Sequence, residues 1–330
     1  MSYVYTIVTL VSIYSLLTLA LNLQFGTAGL VNFGIVAYFA VGAYTYAIVT
    51  LPPPTIVDHY VTGLELSPWL GLPIGIAAAV VFAALTSLPA LRLREDYLAL
   101  VTFAFAQMLQ SVLTNAQDIA NGTLGLSNIQ MPAASSLPAD NYDLWFMIIT
   151  LAVLVVVYAG LSWVTRSPFG DVLKASRDDE LATLSLGKDV NRYRFKAFVL
   201  GGAVAGLAGV LYVWYTTVIA PDLIGAEVTF AAFIALVIGG LGSNFGAVLG
   251  AAVYFGLAEG LKLIPVSPET VQTMASIRVA VFGLVLILVL RYRPQGLVGG
   301  LSVDWRRAVG RVAPRWGSAA EGTEASGSGR

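Results

Sequence analysis

The chain has 330 residues, no cysteine and a single histidine, His59. Without cysteine there can be no disulfide, no thiolate metal site and no cysteine nucleophile, and one histidine excludes a histidine-rich metal centre. Charge is scarce as well: Asp, Glu, Lys and Arg make up 11% of the residues, against about 25% in ordinary soluble domains. The net charge of −1 carries no excess of Lys and Arg of the kind that binds phosphate backbones, so no nucleic-acid partner is indicated. A phosphate-binding loop is absent too. Gly187-Lys188 is followed by Asp189, and Ala182 stands where the first glycine of G-x-x-x-x-G-K-[ST] would be needed. No Ser-His-Asp set and no close carboxylate pair falls within the apolar runs, so the sequence offers no catalytic chemistry.

What the chain has instead is apolar length. With 57% apolar residues and a mean hydropathy of +0.79, it reads as an all-α polytopic integral membrane protein. Runs of roughly 20 apolar residues, the length that crosses the hydrocarbon core as a helix, fall near 3–21, 28–51, 69–91, 97–114, 144–165, 197–219, 228–241, 245–263 and 274–291. That is about nine transmembrane helices, within a range of eight to ten. The first has no Lys or Arg ahead of it and no small-residue cleavage site, and is expected to be retained. The second begins in a Gly-rich stretch that can interrupt a helix, and the seventh is short enough to be a half-helix.

Cations near span ends are held on the cytoplasmic side. With nine spans and the N-terminus outside, 16 of the 18 Lys and Arg fall on one side, leaving only Lys262 and Arg278. The C-terminus is then cytoplasmic. Acids such as Glu65, Asp118, Asp143, Asp222 and Glu227 fall on the other side. Residues 1–300 form the transmembrane domain. Residues 301–330 form a cytoplasmic tail whose Arg- and Trp-bearing first half suits a lipid surface and whose Gly/Ser/Ala-rich end cannot bury a core.

One internal segment breaks the apolar pattern. Residues 166–196 hold 12 of the 37 charged residues. Ser167-Pro168 reads as a helix N-cap followed by proline at the first helical position. Ser176-Arg177-Asp178-Asp179 has the form of a second capping signal, and Gly187 stands where that helix would end. The reading is one short helix, Arg177 to Leu186, with Asp178, Asp179 and Glu180 in its first turn and Leu181 and Leu184 on one side. Proline at Leu181 is expected to break it. Two accounts fit: a solvated spacer, or a docking helix for a cytoplasmic partner.

SPFGDVLKASRDDELATLSLG followed by NRYRFKAFVLGGAVAGLAGVLY resembles the cytoplasmic loop and next helix of LivM-type permease subunits of branched-chain amino acid ABC importers. LNLQFGTAGLVNFGIVAYFAVGAYTYA, LRLREDYLALVTFAFAQML, NGTLGLSNI, VIGGLGSNFGAVLGA and RPQGLVGG resemble that family's segments in the same order. The resemblance implies that 166–196 is the coupling loop docking on an ATPase subunit, through Arg177, Asp178, Asp179, Glu180, Leu181, Leu184 and Gly187. It implies a second permease subunit as partner, two ATP-binding subunits, an external binding protein and a prokaryotic plasma membrane. ATP and magnesium would be used by the partner subunits, with no cofactor bound by this chain. Branched-chain amino acids are the first expected substrate and urea or short amides the second. An ion-coupled transporter or channel is the reading from another class. The loop departs from the family pattern in spacing, because Glu180 and Gly187 are seven positions apart where the general importer motif has six.

Further candidates lie within the spans. Gly29, Asn32 and Gly34 put glycine and a polar group at the start of the second span, which suits either a broken helix lining a substrate path or simple packing. Gln107 and Gln110 suit substrate contact or interhelical hydrogen bonding. Gly202/Gly206, Ala205/Gly209, Gly242/Gly246 and Gly246/Gly250 have the four-residue spacing of close helix packing. Glu259 and Arg278 fall at matching depths in successive spans and suit an ion pair or two independent residues reaching the interface. Asn121-Gly122-Thr123 fits a glycosylation acceptor pattern.

Overall fold

The structure is a computed structural model. It describes residues 2–54, 60–61, 63–93, 95–132 and 139–261, together with 283–284, 287, 291 and 296–298. Among these residues the chain is helical, with no β-structure beyond two isolated bridges, Tyr60 with Ala120 and Leu126 with Ile219. The α-helices are α1 (Ser2–Leu21), α2 (Ile35–Thr50), α3 (Pro68–Ala90), α4 (Glu95–Asn115), α5 (Gln117–Ala120), α6 (Ala139–Arg166), α7 (Pro168–Asp178), α8 (Glu180–Ser185), α9 (Val190–Thr216), α10 (Ala226–Gly239) and α11 (Asn244–Leu261). A π turn, Asn22–Thr27, prolongs α1, and a 3-10 turn, Pro221–Ile224, leads toward α10.

Among the described residues six stretches are long and apolar enough to cross a membrane: Tyr3–Thr27, Pro68–Ala90, Tyr97–Asn115, Tyr142–Arg166, Val190–Thr216 and Pro221–Gly239. The shorter apolar helices α2 and α11 occupy two more of the expected spans. The expected ninth, 274–291, falls almost wholly outside the described residues. Three boundaries differ from the sequence reading, each for a local reason. The second span begins at Ile35 rather than 28, because Gly29 takes a left-handed φ of 73° and interrupts the chain. The sixth begins at Val190 rather than 197, since the Asp189 side chain accepts from the Arg192 amide and starts the helix early. The seventh starts at Ala226: its α-helix has 14 residues, and the 3-10 turn joined to it through extended Gly225 brings the apolar stretch to 19.

Helix α9 runs through the middle, with α2 and α3 packed on it and on each other, and α1 packed against α6, α9 and α11. A helix that is apolar on every side can face protein or lipid, and α1 and α9 are packed among their neighbours. Leu16, Leu17 and Leu19 of α1 and Ala205, Ala208 and Val213 of α9 are accordingly sealed from solvent. Glycine makes the α2–α3–α9 crossing possible. A Cβ on Gly209 would lie 2.0 Å from the Phe39 carbonyl oxygen, and one on Gly42 would lie 2.5 Å from that of Gly206. On the opposite side, a Cβ on Gly250 would lie 2.0 Å from the Ala235 carbonyl oxygen. The small-residue spacings therefore mark helix packing at Gly202, Gly206, Gly209, Gly246 and Gly250. Gly242 departs from that reading, since it lies in the turn before α11 with φ of 80°. Large apolar side chains of α3 and α6, among them Leu85, Leu88, Val155, Val156 and Trp163, are exposed, as on a face turned to lipid.

The bundle has two chemically different ends. Hydrogen bonds gather the C-terminal ends of α1 and α6 with the N-terminal end of α11 and with α7. Arg166, Lys174, Arg177, Lys188, Arg192, Arg194 and Lys196 belong to this end. At the other end Gln110 of α4 donates to the Pro221 carbonyl and Tyr46 of α2 to that of Gln130. Asp118, Asp222 and Glu227 lie there. Seven described cations, all from the segment 166–196, thus gather at one end of the bundle, and these acids lie at the other.

Candidate functional site

The charged end is an ordered structure rather than a loose loop. Ser167 holds the N-cap position of α7 with Pro168 in the first turn, although its hydroxyl donates back to the Val164 carbonyl instead of capping α7. Gly170, Leu173 and Ser176, at three-residue spacing, are the buried face of α7. Lys174 Nζ donates to the Thr165 carbonyl at 2.7 Å, satisfying one of the acceptors left over at the end of α6. Phe169 stacks on Tyr193 of α9 with ring centroids 5.5 Å apart.

The expected single helix, Arg177 to Leu186, is corrected. Arg177 and Asp178 close α7, and α8 begins only at Glu180. Asp179, extended at φ −153° and ψ 105°, is the N-cap of α8, and its carboxylate accepts from the Ala182 amide. Ser176 is buried and its hydroxyl donates to the Leu173 carbonyl, so it cannot act as that cap. One consequence concerns Leu181. As the second residue of α8 it lies in the first turn, where a missing N–H is tolerated, so proline there would not break the helix. Gly187 ends α8 as expected, at φ of 74° with its amide donating to the Leu184 carbonyl at 2.9 Å.

Helix α8 turns its apolar side chains outward. Leu181 is 77% exposed, Leu184 47% and Leu186 78%, while Thr183 is the buried residue of the turn. It is held from behind by Glu180, which pairs with Arg194 of α9 at 2.9 Å. Arg194 is only 8% exposed, so removing Glu180 would leave a largely buried cation without this partner. Glu180 therefore ties the hairpin to α9 while its own side chain stays 44% exposed.

Beside this hairpin the first helix ends in its π turn, and residues 28–34 break the chain before α2. Asn22 of the π turn donates to Asn244 Oδ1 at 2.8 Å and accepts from the Gly242 amide at 2.9 Å. Gln24 donates to the Phe198 carbonyl at 2.8 Å and accepts from Asn32 Nδ2 at 2.8 Å. Asn32 in turn accepts from the Gly34 amide at 2.8 Å, and the Phe33 amide donates to Thr102 Oγ1 at 3.1 Å. Asn22, Gln24 and Asn32 are fully buried, so these bonds meet the requirement that polar groups at membrane depth be satisfied within the protein.

The expected site residues separate accordingly. Asn32 and Gly34 belong to the helix break, and Gly29 touches Arg177, whose Cγ lies 2.7 Å from where a Cβ on Gly29 would stand. Gln107 faces outward from α4, away from the break. Gln110 is a tie to the Pro221 turn. Glu259 is in α11, while Arg278 lies outside the described residues. Among the described residues no cluster of His, Asp or Glu is placed to hold a metal ion. Sequence reasoning passed over Asn22, Gln24, Asn244 and Arg194. Their signal was available in part, since amides within an apolar run such as LALNLQFG demand partners.

Residues 3–290 match a family model described as branched-chain amino acid transport system / permease component. The chain is 31% identical over 316 residues to the high-affinity branched-chain amino acid transport system permease protein LivM of Escherichia coli K12, covering 88% of this chain and 69% of that one. It is 29% identical to the probable branched-chain amino acid transport permease protein LivM of Methanocaldococcus jannaschii, covering 87% and 90%. To the high-affinity branched-chain amino acid transport system permease protein LivH of Escherichia coli K12 it is 27% identical, covering 90% and 94%. No solved structure matches. The break after the first helix, the glycine-packed bundle and the ordered charged hairpin are thus the build of a membrane permease, and the chain belongs to the family of branched-chain amino acid transport system permease components.

Proposed function

We propose that the chain is one of two permease subunits of an ATP-driven importer that moves branched-chain amino acids across a prokaryotic plasma membrane. Two ATP-binding subunits hydrolyse ATP with magnesium on the cytoplasmic side, and a binding protein delivers substrate outside. The chain crosses the membrane nine times with its N-terminus outside, and the charged end of the bundle faces the cytoplasm. The likeness to both LivM and LivH proteins supports a heterodimeric pair, and the cation segregation supports the orientation.

The observation that carries this reading is the outward apolar edge of α8. Leu181, Leu184 and Leu186 stand exposed on a hairpin rich in charged residues, a placement that favours a partner's apolar pocket over water. Replacing Leu181 and Leu184 together by aspartate is the direct test. Insertion and pairing with the second permease are expected to be unchanged, while the ATP-binding subunits no longer co-purify and leucine uptake falls to background. Retention of those subunits by the double variant would return the hairpin to a spacer. Orientation is checked separately. A cysteine placed near Asn141 in this cysteine-free chain reacts with an impermeant thiol reagent in sealed cells and one near Asp189 does not, whereas equal labelling overturns the assignment.

A further inference from the structure

Arg177 was expected on the docking helix. Its side chain stays 37% exposed, and its guanidinium bonds to the end of the first helix. Nη1 donates to the Gly26 carbonyl at 2.5 Å, and Nε and Nη2 meet Asp178 Oδ1 at 3.1 and 3.0 Å. The Gly26 carbonyl belongs to the last turn of the π segment, where the helix has run out of its own donors and a cation is electrostatically favoured.

Three glycines shape the space. Gly29 supplies the left-handed turn that stops the helix, and any side chain there would press on the arginine's Cβ and Cγ. Gly26 approaches the α10–α11 turn so closely that a Cβ on it would lie 2.6 Å from the Gly242 nitrogen. A Cβ on Gly242 would in turn lie 3.5 Å from Arg177 Nη1. The guanidinium therefore sits where the end of the first helix, the α10–α11 turn and the charged hairpin meet.

Its position along the chain matters equally. Arg177 lies two residues before Asp179, the extended residue joining α7 to α8. The arginine thus stands one joint from α8 and one hydrogen bond from the Gly26 carbonyl. The connection that follows the first helix, 28–34, is held by polar bonds of Gln24 and Asn32.

Resting on the importer reading above, we propose that Arg177 is the positioning residue through which movement of the docked hairpin reaches the end of the first helix and the break that follows it. The planar fork serves this because it holds Asp178 and the Gly26 carbonyl at once, which an ammonium group cannot do in the same geometry.

The test uses the complete importer in proteoliposomes with its binding protein, reading leucine uptake and ATP hydrolysis together. For Arg177→Ala the ATP-binding subunits stay bound and hydrolysis stays within twofold of wild type, while leucine moved per ATP falls at least tenfold. Arg177→Lys, which keeps a cation near the carbonyl, gives an intermediate ratio. Arg192→Ala, removing a cation that is 82% exposed in the same segment, leaves the ratio unchanged. An unchanged ratio for Arg177→Ala overturns the proposal, as does loss of the ATP-binding subunits, which would make Arg177 a docking residue. Failure of those subunits to associate with the wild-type chain would instead overturn the importer reading beneath it. A second measurement leaves Arg177 in place: a cysteine at Val31 is expected to react with a thiol reagent at rates differing at least threefold between nucleotide-free and vanadate-trapped complexes. Equal rates would show that the break does not respond and would overturn the proposal even if Arg177→Ala failed to fold.

Discussion

The α2–α3–α9 crossing and the junction around the end of the first helix both depend on glycine, but in opposite ways. At the crossing, Gly42, Gly206 and Gly209 sit inside regular helices and are there for space: backbone touches backbone, and a single added carbon meets a carbonyl oxygen. At the junction, Gly29 and Gly242 stand at left-handed φ and are there for conformation, while cohesion comes from Asn22, Gln24, Asn32 and Arg177 bonding to backbone and amide groups. Close packing of backbones admits one arrangement, because small shifts either clash or open voids. A lattice of polar bonds can exchange partners at small net cost, since each bond contributes only about 1 kcal/mol. The crossing is therefore expected to stay fixed and, on the proposal above, the junction to change.

The largest expected effect comes from breaking the crossing. Gly209→Val places branched carbon against the Phe39 carbonyl. It should cost about 3 kcal/mol or more, at the top of the range for overpacking. Loss of the monodisperse peak in detergent size exclusion is the readout, and a normally folded variant would refute the packing account. Asn22→Leu comes next. It removes the acceptor of the Gly242 amide and the donor to Asn244 Oδ1, at about 1 kcal/mol for each lost bond, seen as a lowered melting temperature with the bundle still assembled. Gly187→Ala is the smallest. Its Cβ would meet nothing within 4 Å, so only the left-handed backbone objects, at about 1 kcal/mol. A proteolysis assay should show α8 fraying alone, and a global loss of stability would mean that the hairpin is more deeply built into the bundle than its exposure indicates.

Much of this was legible in the sequence, where information is local. Apolar run length located eight helices, and positive charge separated the ends. Gly187 marked the end of α8 because a glycine after a short apolar and polar run has few other uses. The division between α7 and α8 was misread because Ser176 and Asp179 both offer a capping oxygen. Only the burial of Ser176 decides between them, and burial is a tertiary fact. The junction was illegible for a related reason. Arg177 and Gly26 are 151 residues apart and Asn22 and Asn244 are 222 apart, so no spacing rule connects them. Gln107 and Gln110 show the converse, since residue type suggested a site while helix phase sends one outward and ties the other to a turn.

Hydrogen–deuterium exchange on the assembled importer, with and without trapped ATP, tests the contrast most directly because both regions report in one experiment. Amides at 22–34 and 239–244 are expected to change their exchange on nucleotide trapping, while those at 38–47, 75–83 and 201–213 keep theirs. Equal change in both regions, or a junction as unresponsive as the crossing, would contradict the account.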